Sequence, residues 1–360
     1  MVMCHSVIAM KRGAAILLLI VAPLASAKSR AVRSVQPGWH APRCESVQLP
    51  WLRFIDDNGE RRTSDVDPPV IRRQPALVTY TVAIGGAPNT LWAITSDGNI
   101  HQSVDAGCRW TVRASVPEIF AARWQPRLTA RHPERLYAYI GKDIVRLTGG
   151  TVETFRMPDA AGDLVRLEVD RKDGLHLRAI TQAGFAYESF DGAATWKRLA
   201  AIIDEVFSAA FDPGDFEHII AGGKFDGLYV SHDGGKSWTN GPLQAQTIND
   251  ITFSPADPRV VWIDTHPGGI GIPSRLYKST DGGETVAQIG ENPWSLSYWQ
   301  RLFAPHPHDA ETYATHSAGG FGIKITGPAG RRDWAYENVL EAVWSPSGTL
   351  YFLQSVVESR

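Results

Sequence analysis

The chain has 360 residues, 43% of them hydrophobic, enough to bury a large core. Its formal net charge of −2 argues against nucleic acid or an anionic membrane as partner. Its 12 tryptophans are a high number, and Trp110, Trp196, Trp238 and Trp262 fall in the two recurring patterns described below.

Residues 1–27 read as a leader. Met10-Lys11-Arg12 precede an apolar run from Gly13 to Leu24 and then Ala25-Ser26-Ala27, the basic start, apolar core and small-residue end of a secretory signal peptide. The run is short for a membrane span, and no cysteine follows the cleavage site to carry a lipid. Cleavage after Ala27 predicts an exported chain, periplasmic or secreted, with no membrane span remaining. The leader is complete from Met10, so residues 1–9 read as lying upstream of the start. Residues 28–44 are polar and basic, with Pro37 and Pro42, and read as a flexible arm ahead of a single domain over 45–360. Cys4 leaves with the leader. Cys44 and Cys108 remain, and in an exported chain they are expected to pair, pinning the N-terminal segment to the first hairpin; two free buried thiols are the alternative. No Cys/His spacing suits a metal, and no cofactor is expected.

Glu45 to Phe54 offers a strand, followed by a charged loop from Asp56 to Asp67 that ends in Pro68-Pro69. A first repeat starts near Ala76, runs through Leu77–Val82 and Thr90–Ile94, and ends on Ser103-Val104-Asp105-Ala106-Gly107-Cys108-Arg109-Trp110. That last stretch returns three times: at 189–196 (Ser189, Asp191, Thr195, Trp196), at 231–238 (Ser231, Asp233, Gly235, Ser237, Trp238) and at 279–286 (Ser279, Asp281, Gly283, Thr285). The pattern is S-x-D-x-G-x-[ST]-W. Asp233 lies 42 residues after Asp191 and 48 before Asp281, a period that points to radial repetition of a four-stranded unit. The aspartate accepts backbone N–H bonds in a tight turn, the glycine takes a positive φ, and the tryptophan covers the outgoing strand.

A second signature keeps the same step. A strand ends in proline, and an Ile/Val/Tyr-rich strand follows, around Pro133, Pro213, Pro255 and Pro305; proline fixes φ there and donates nothing to a ladder. Two units carry degenerate turns, Leu147–Thr151 and Thr326–Gly330. The count gives six units between about 76 and 338, and a C-terminal piece with two strands, Ala342–Trp344 and Thr349–Leu353. Residues 45–75 supply the outer strands of a seventh. The predicted fold is therefore all-β, a single β-propeller of seven four-stranded blades closed by pairing N- and C-terminal strands, which removes open sheet edges. A miscounted degenerate unit would make it six or eight.

The S-x-D-x-G-x-[ST]-W stretches resemble the Asp-box (BNR) repeat of sialidases, sortilin-type receptors, xyloglucanases and the photosystem II assembly-factor family. The resemblance covers nearly the whole mature chain and implies hairpins between third and fourth strands, on the face away from the ligand. Asp105, Asp191, Asp233 and Asp281 are then turn fasteners, not catalysts. Three copies depart from the pattern: 279–286 lacks the tryptophan, 103–110 has Arg109 for Ser/Thr, and 189–196 has Ala193 for the second glycine. Those hairpins are expected to be less well covered or less tightly turned.

On the opposite face lie the inter-blade loops and those joining second to third strands. The inter-blade set holds Asp204-Glu205, Asn249-Asp250 and Asn292–Trp299. The within-blade set holds Lys142-Asp143, Lys224-Phe225-Asp226, His266 to Arg275, and His316 to Phe321. His266, Arg275, His316, Trp294, Tyr298 and Trp299 form an aromatic and polar wall suited to a sugar or peptide, unless Trp294 and Trp299 only pack between blades. Lys224 and Asp226 belong to the same face.

Two functions compete. Glycoside hydrolysis would use carboxylates such as Asp250, Asp204 or Glu205, with Arg275 holding substrate. But the arginine–isoleucine–proline motif that opens sialidase domains is absent, and related xyloglucanases place their site between two propellers where this chain has room for one. The assembly-factor resemblance implies a non-enzymatic, monomeric scaffold in the cell envelope that binds a protein or glycan, and that is the expected function. Fold alone does not decide it.

Overall fold

The computed structural model describes residues 38–56, 61–66, 77–121, 126–266, 273–292, 303–316, 322–334 and 339–354. The leader and the wall residues Trp294, Tyr298 and Trp299 lie outside them. Seven antiparallel sheets of four strands each form the blades of a propeller. Blade five shows the plan: an inner strand Thr247–Phe253, then Val261–His266, Ser274–Ser279 and an outer strand Ala287–Asn292. The other inner strands are Thr79–Ile84, Arg127–Thr129, Leu164–Val169, Val206–Phe211, Phe303–Pro305 and Val339–Trp344. Consecutive inner strands touch one another around the ring. Helix among the described residues is limited to one turn at Pro117–Phe120 and a 3-10 turn at Asp159–Ala161.

The seventh blade is the seam. Its two inner strands, Val339–Trp344 and Leu350–Gln354, come from the C-terminal end, and Leu52–Ile55 and Arg61–Arg62 from the N-terminal end complete it. Leu52 pairs with Leu353 and Phe54 with Tyr351. Closure in this way completes the four strands of the last blade from the opposite end of the chain. The N-terminal strand is shorter than the sequence suggests, beginning at Leu52 rather than Glu45, because Trp51 takes φ 64 and bends the chain just before it. Residues 38–44, expected as part of a flexible arm, pack instead: Trp39 is buried, and Asn89 accepts from His40 N and donates to Gly38 O. Cys44 and Cys108 are disulfide-bonded, which fastens this segment to the first hairpin.

The described residues form seven apolar clusters, and each draws on two neighbouring blades. One joins Tyr137 and Ile144 of blade two to Leu167 and Ala179 of blade three; another joins Leu52 and Phe54 of the seam to Val82 and Leu91 of blade one. A strand alternation with both faces apolar produces this, since each blade is covered on either side by the next.

The four aspartate hairpins share one geometry. In the copy at 231–238, Ser231 Oγ donates to Asp233 Oδ1 (2.9 Å) and accepts from Gly235 N (2.8 Å), while Asp233 accepts from Ser237 N and Oγ. The three departures leave the hydrogen bonds of the turn in place. Ala193 N still donates to Ser189 Oγ (3.0 Å), and Thr195 N to Asp191 (2.8 Å); Arg109 N still reaches Asp105 and Thr285 N reaches Asp281, both at 2.9 Å. The turn depends on backbone amides, which any residue supplies. Its cost is backbone strain: Ala106 (φ 58) and Ala193 (φ 83) occupy the left-handed region where an alanine is disfavoured.

Two of the hairpins are also clasped by hydrogen bonds from the preceding blade, and a third is packed against an arginine of it. Tyr351 Oη donates to Ala106 O, and Arg146 Nη1 donates to Asp191 O and Gly192 O. Arg178 donates to Phe216 O and lies where a Cβ on Gly234 would fall, 2.3 Å from its guanidinium carbon. The hairpin backbone thus serves as an inter-blade fastener.

Candidate functional site

Two regions gather polar groups away from the aspartate hairpins: the opposite loop face and the inner strands around the axis. Loop-face residues sit where the blade plan puts them. Asp204 is exposed and Glu205 half-buried in the crossing from blade three to blade four, and Glu205 accepts from Gln182 Nε2 at 3.4 Å. Lys224 is exposed and Asp226 half-buried in the blade-four loop between second and third strands. A Cβ on Gly223 would meet Glu205 O at 3.0 Å and Asp226 Cβ at 3.3 Å, so these two loops touch. Arg275 is exposed, but it is the second residue of the strand Ser274–Ser279, facing Glu291 across the ladder. His266 ends the second strand of blade five and is buried, paired in register with Thr247. His316 ends the second strand of blade six, in register with Ile323.

Asp250 is a correction. It was expected on an inter-blade loop with Asn249; both lie inside the inner strand Thr247–Phe253, and Asp250 is 3% exposed. The reason is a β-bulge. Five inner strands carry one at the same place, with the register shifting between Thr79 and Thr81, Leu164 and Arg166, Val206 and Ser208, Ile248 and Asp250, and Val339 and Glu341. A bulge interrupts the ladder and re-aims the next side chain. One residue per bulged blade therefore occupies an equivalent position: Thr81, Arg166, Ser208, Asp250 and Glu341.

The two carboxylates of that ring do the same work. Asp250 Oδ2 accepts from Phe303 N of blade six (3.1 Å), and Glu341 Oε2 accepts from Val82 N of blade one (3.1 Å). Each satisfies a buried inner-strand amide of the following blade. Burial pushes the Glu341 carboxyl above its ordinary range, against the opposing pull of the Thr81 hydroxyl, the Val82 amide and the charges of Arg127 and Arg166.

Nearer the aspartate-hairpin face, Glu168 accepts from the Thr129 hydroxyl and from Arg166 Nη2 (2.9 Å), and pairs with Arg131 Nε (3.5 Å). Burial alone would raise Glu168; Arg131 and Arg166 outweigh it and hold the carboxyl below its usual range. Arg131 also donates to Asp212 O (3.3 Å) and Phe211 O (3.4 Å), so one side chain ties blades two, three and four together. A buried charge with this many partners is costly to break and poorly placed to turn over a polymer substrate.

Sequence reasoning missed Arg127, Arg131, Arg166, Glu168 and Glu341. The available signal was polar or charged residues at alternate positions, Arg127-Thr129-Arg131 and Arg166-Glu168, in and beside strands that should have been apolar. Among the described residues, no group of three or more His, Cys, Asp and Glu could hold a metal ion.

No family model matches the chain. The Dispase autolysis-inducing protein of Streptomyces mobaraensis is 29% identical over 349 residues, covering 86% of this chain and 87% of that protein. A Xyloglucanase of Paenibacillus sp is 28% identical over 240 residues, 61% of this chain, and this chain spans only 23% of that enzyme's length. Among solved structures, YCF48 from Cyanidioschyzon merolae superposes with a TM-score of 0.57 at 15% identity, over 77% of this chain and 95% of its own, a likeness of fold.

Proposed function

We propose that this chain is an exported, non-catalytic propeller of the Asp-box type that binds a protein partner, and that the partner is a protease. The carrying observation is co-extensive similarity to the Dispase autolysis-inducing protein, which runs through nearly the whole of both chains, so that a shared role would rest on the shared region. The fate of the carboxylates supports a binder. Asp250 is spent on the Phe303 amide, and Asp191, Asp233 and Asp281 are spent on their own hairpins. What the scaffold leaves exposed is a set of loops on one rigid face, the arrangement in which binding residues are usually found.

The test is a self-cleavage time course. Residues 28–360, purified and added in equimolar amount to dispase, are expected to accelerate loss of the intact protease band and of its activity. An unchanged time course would count against the reading. A second reading, glycoside hydrolysis, rests on the xyloglucanase similarity. It would be supported by release of reducing ends from xyloglucan that is abolished when loop-face Asp204 or Glu205 is replaced by its amide.

A further inference from the structure

The loop between the second and third strands of blade four holds an aromatic residue in an unfavourable place twice over. Phe225 is 51% exposed, and its φ is 65, a left-handed backbone that a bulky side chain rarely adopts. Glycine would adopt it without strain. Burial cannot be the reason for a phenylalanine here, since half of it faces water.

The loop is nonetheless held. Gly223 N donates to Gly227 O (3.2 Å), closing the turn around Phe225, and Gly227 N donates to Gln246 O (3.1 Å). Leu228 N reaches Pro242 O (3.0 Å), and Gly227 packs so closely that a Cβ on it would lie 2.6 Å from the backbone of Leu243. The supporting segment is strained in the same sense, with Leu243 at φ 64 and Ala245 at φ 63. Strain of this kind, over-determined by surrounding hydrogen bonds, clusters at binding sites. The side chain is thus presented on a backbone whose ordering cost is met before any encounter.

We propose that Phe225 is the anchor of the partner-binding surface, inserting into an apolar pocket of a folded protein. This deepens the protein-binding reading above and rests on it. The surroundings fix the partner's charge. The flanking loops carry Asp204, Glu205 and Asp226 against the single cation Lys224, and the first loop touches the second at Gly223. An aromatic knob with a mainly acidic surround fits a pocket with a cationic rim, and such charges act chiefly on the rate of encounter.

The decisive variant is Phe225→Gly, measured against active-site-blocked dispase by biolayer interferometry. A residue with a structural role would unfold or soften the ring when removed. An anchor held at the expense of backbone strain predicts the reverse combination: a melting temperature unchanged or raised, and affinity lowered about tenfold or more. Phe190→Ala is the control, an aromatic 62% exposed on the opposite face, and should bind as the parent does. Asp204→Asn with Asp226→Asn should slow association and flatten its salt dependence, leaving dissociation nearly unchanged. Full affinity in Phe225→Gly, or weakened binding that accompanies a lowered melting temperature, overturns the inference and leaves the protease reading standing. Failure of the unaltered chain to bind dispase overturns both.

Discussion

Removing the Cys44–Cys108 bond is the perturbation whose size follows most directly from the structure. The two cysteines are 64 residues apart, and a cross-link closing a loop of that length restricts the unfolded chain by about 4 kcal/mol. Trp39, Val47 and Leu49 pack with blade one in an apolar cluster, which is expected to keep the segment in place when the bond is removed. The double variant Cys44→Ser, Cys108→Ser should fold and lose stability. With a urea dependence near ~3 kcal/mol per molar for a chain of this size, the midpoint should fall by roughly 1 M. Trp39 and Trp110 belong to the apolar cluster beside the bond and make intrinsic fluorescence a local reporter, with circular dichroism as the global one. Because a ring of seven interfaces need not unfold in one step, midpoints rather than extrapolated energies are compared. Coincident midpoints for the double variant and the oxidised parent would refute the view that this bond holds the seam. So would an equal fall in a variant that keeps the bond and loses only the packing of Trp39.

Other consequences concern the hairpins and the ring. Ala193→Gly should raise stability by about 0.5–1 kcal/mol, since the strain at φ 83 is relieved and only part of the gain is lost to the greater freedom of an unfolded glycine; a lower melting temperature would contradict the geometry. Asp250→Ala leaves the buried Phe303 amide without this acceptor and should cost about 1–3 kcal/mol, whereas Asp250→Asn keeps an acceptor and should be far milder, with dispase binding intact in both as judged by interferometry. Glu341 has a folded pKa above its unfolded one, so its contribution is favourable in acid and declines as pH rises through the folded value. Glu341→Gln should therefore gain melting temperature relative to the parent on going from pH 5 to pH 8. Asp233 has the opposite sign: burial would raise it, but the Ser237 hydroxyl and amide, with Ser231 and Lys236, hold it at about 2. Its share of stability is present above the ordinary aspartate range and is lost progressively as pH falls from that range through about 2, which an acid titration of Asp233→Asn beside the parent would show as a vanishing difference.

The blades were legible because their turns are written in residue chemistry. Asp233, Gly235 and Ser237 spell a turn whose hydrogen bonds are local, and local bonds can be read from spacing. The seam was legible for a different reason: two strands without partners at one end need two at the other. Asp250 was misplaced because a bulge, not a loop boundary, sets its direction, and a one-residue shift in register leaves no mark on composition. The network around Arg131 and Glu168 was invisible in kind. Its members come from blades two, three and four, and only closure of the ring brings them together. Phe225 was named only as part of its loop, since neither its φ nor its exposure can be inferred from a neighbouring lysine and aspartate. The hairpin at 189–196 was expected to be loose because alanine stands for glycine, and it is tight because Ser189 and Asp191 bind amides regardless of the side chain between them.

Equilibrium binding of residues 28–360 to active-site-blocked dispase, run beside xyloglucan hydrolysis by the same preparation, bears most directly on what this ring does. Saturable binding with one protease per propeller and no release of reducing ends are expected. Absence of binding together with xyloglucan turnover that depends on Asp204 or Glu205 would contradict that expectation and place catalysis on the loop face.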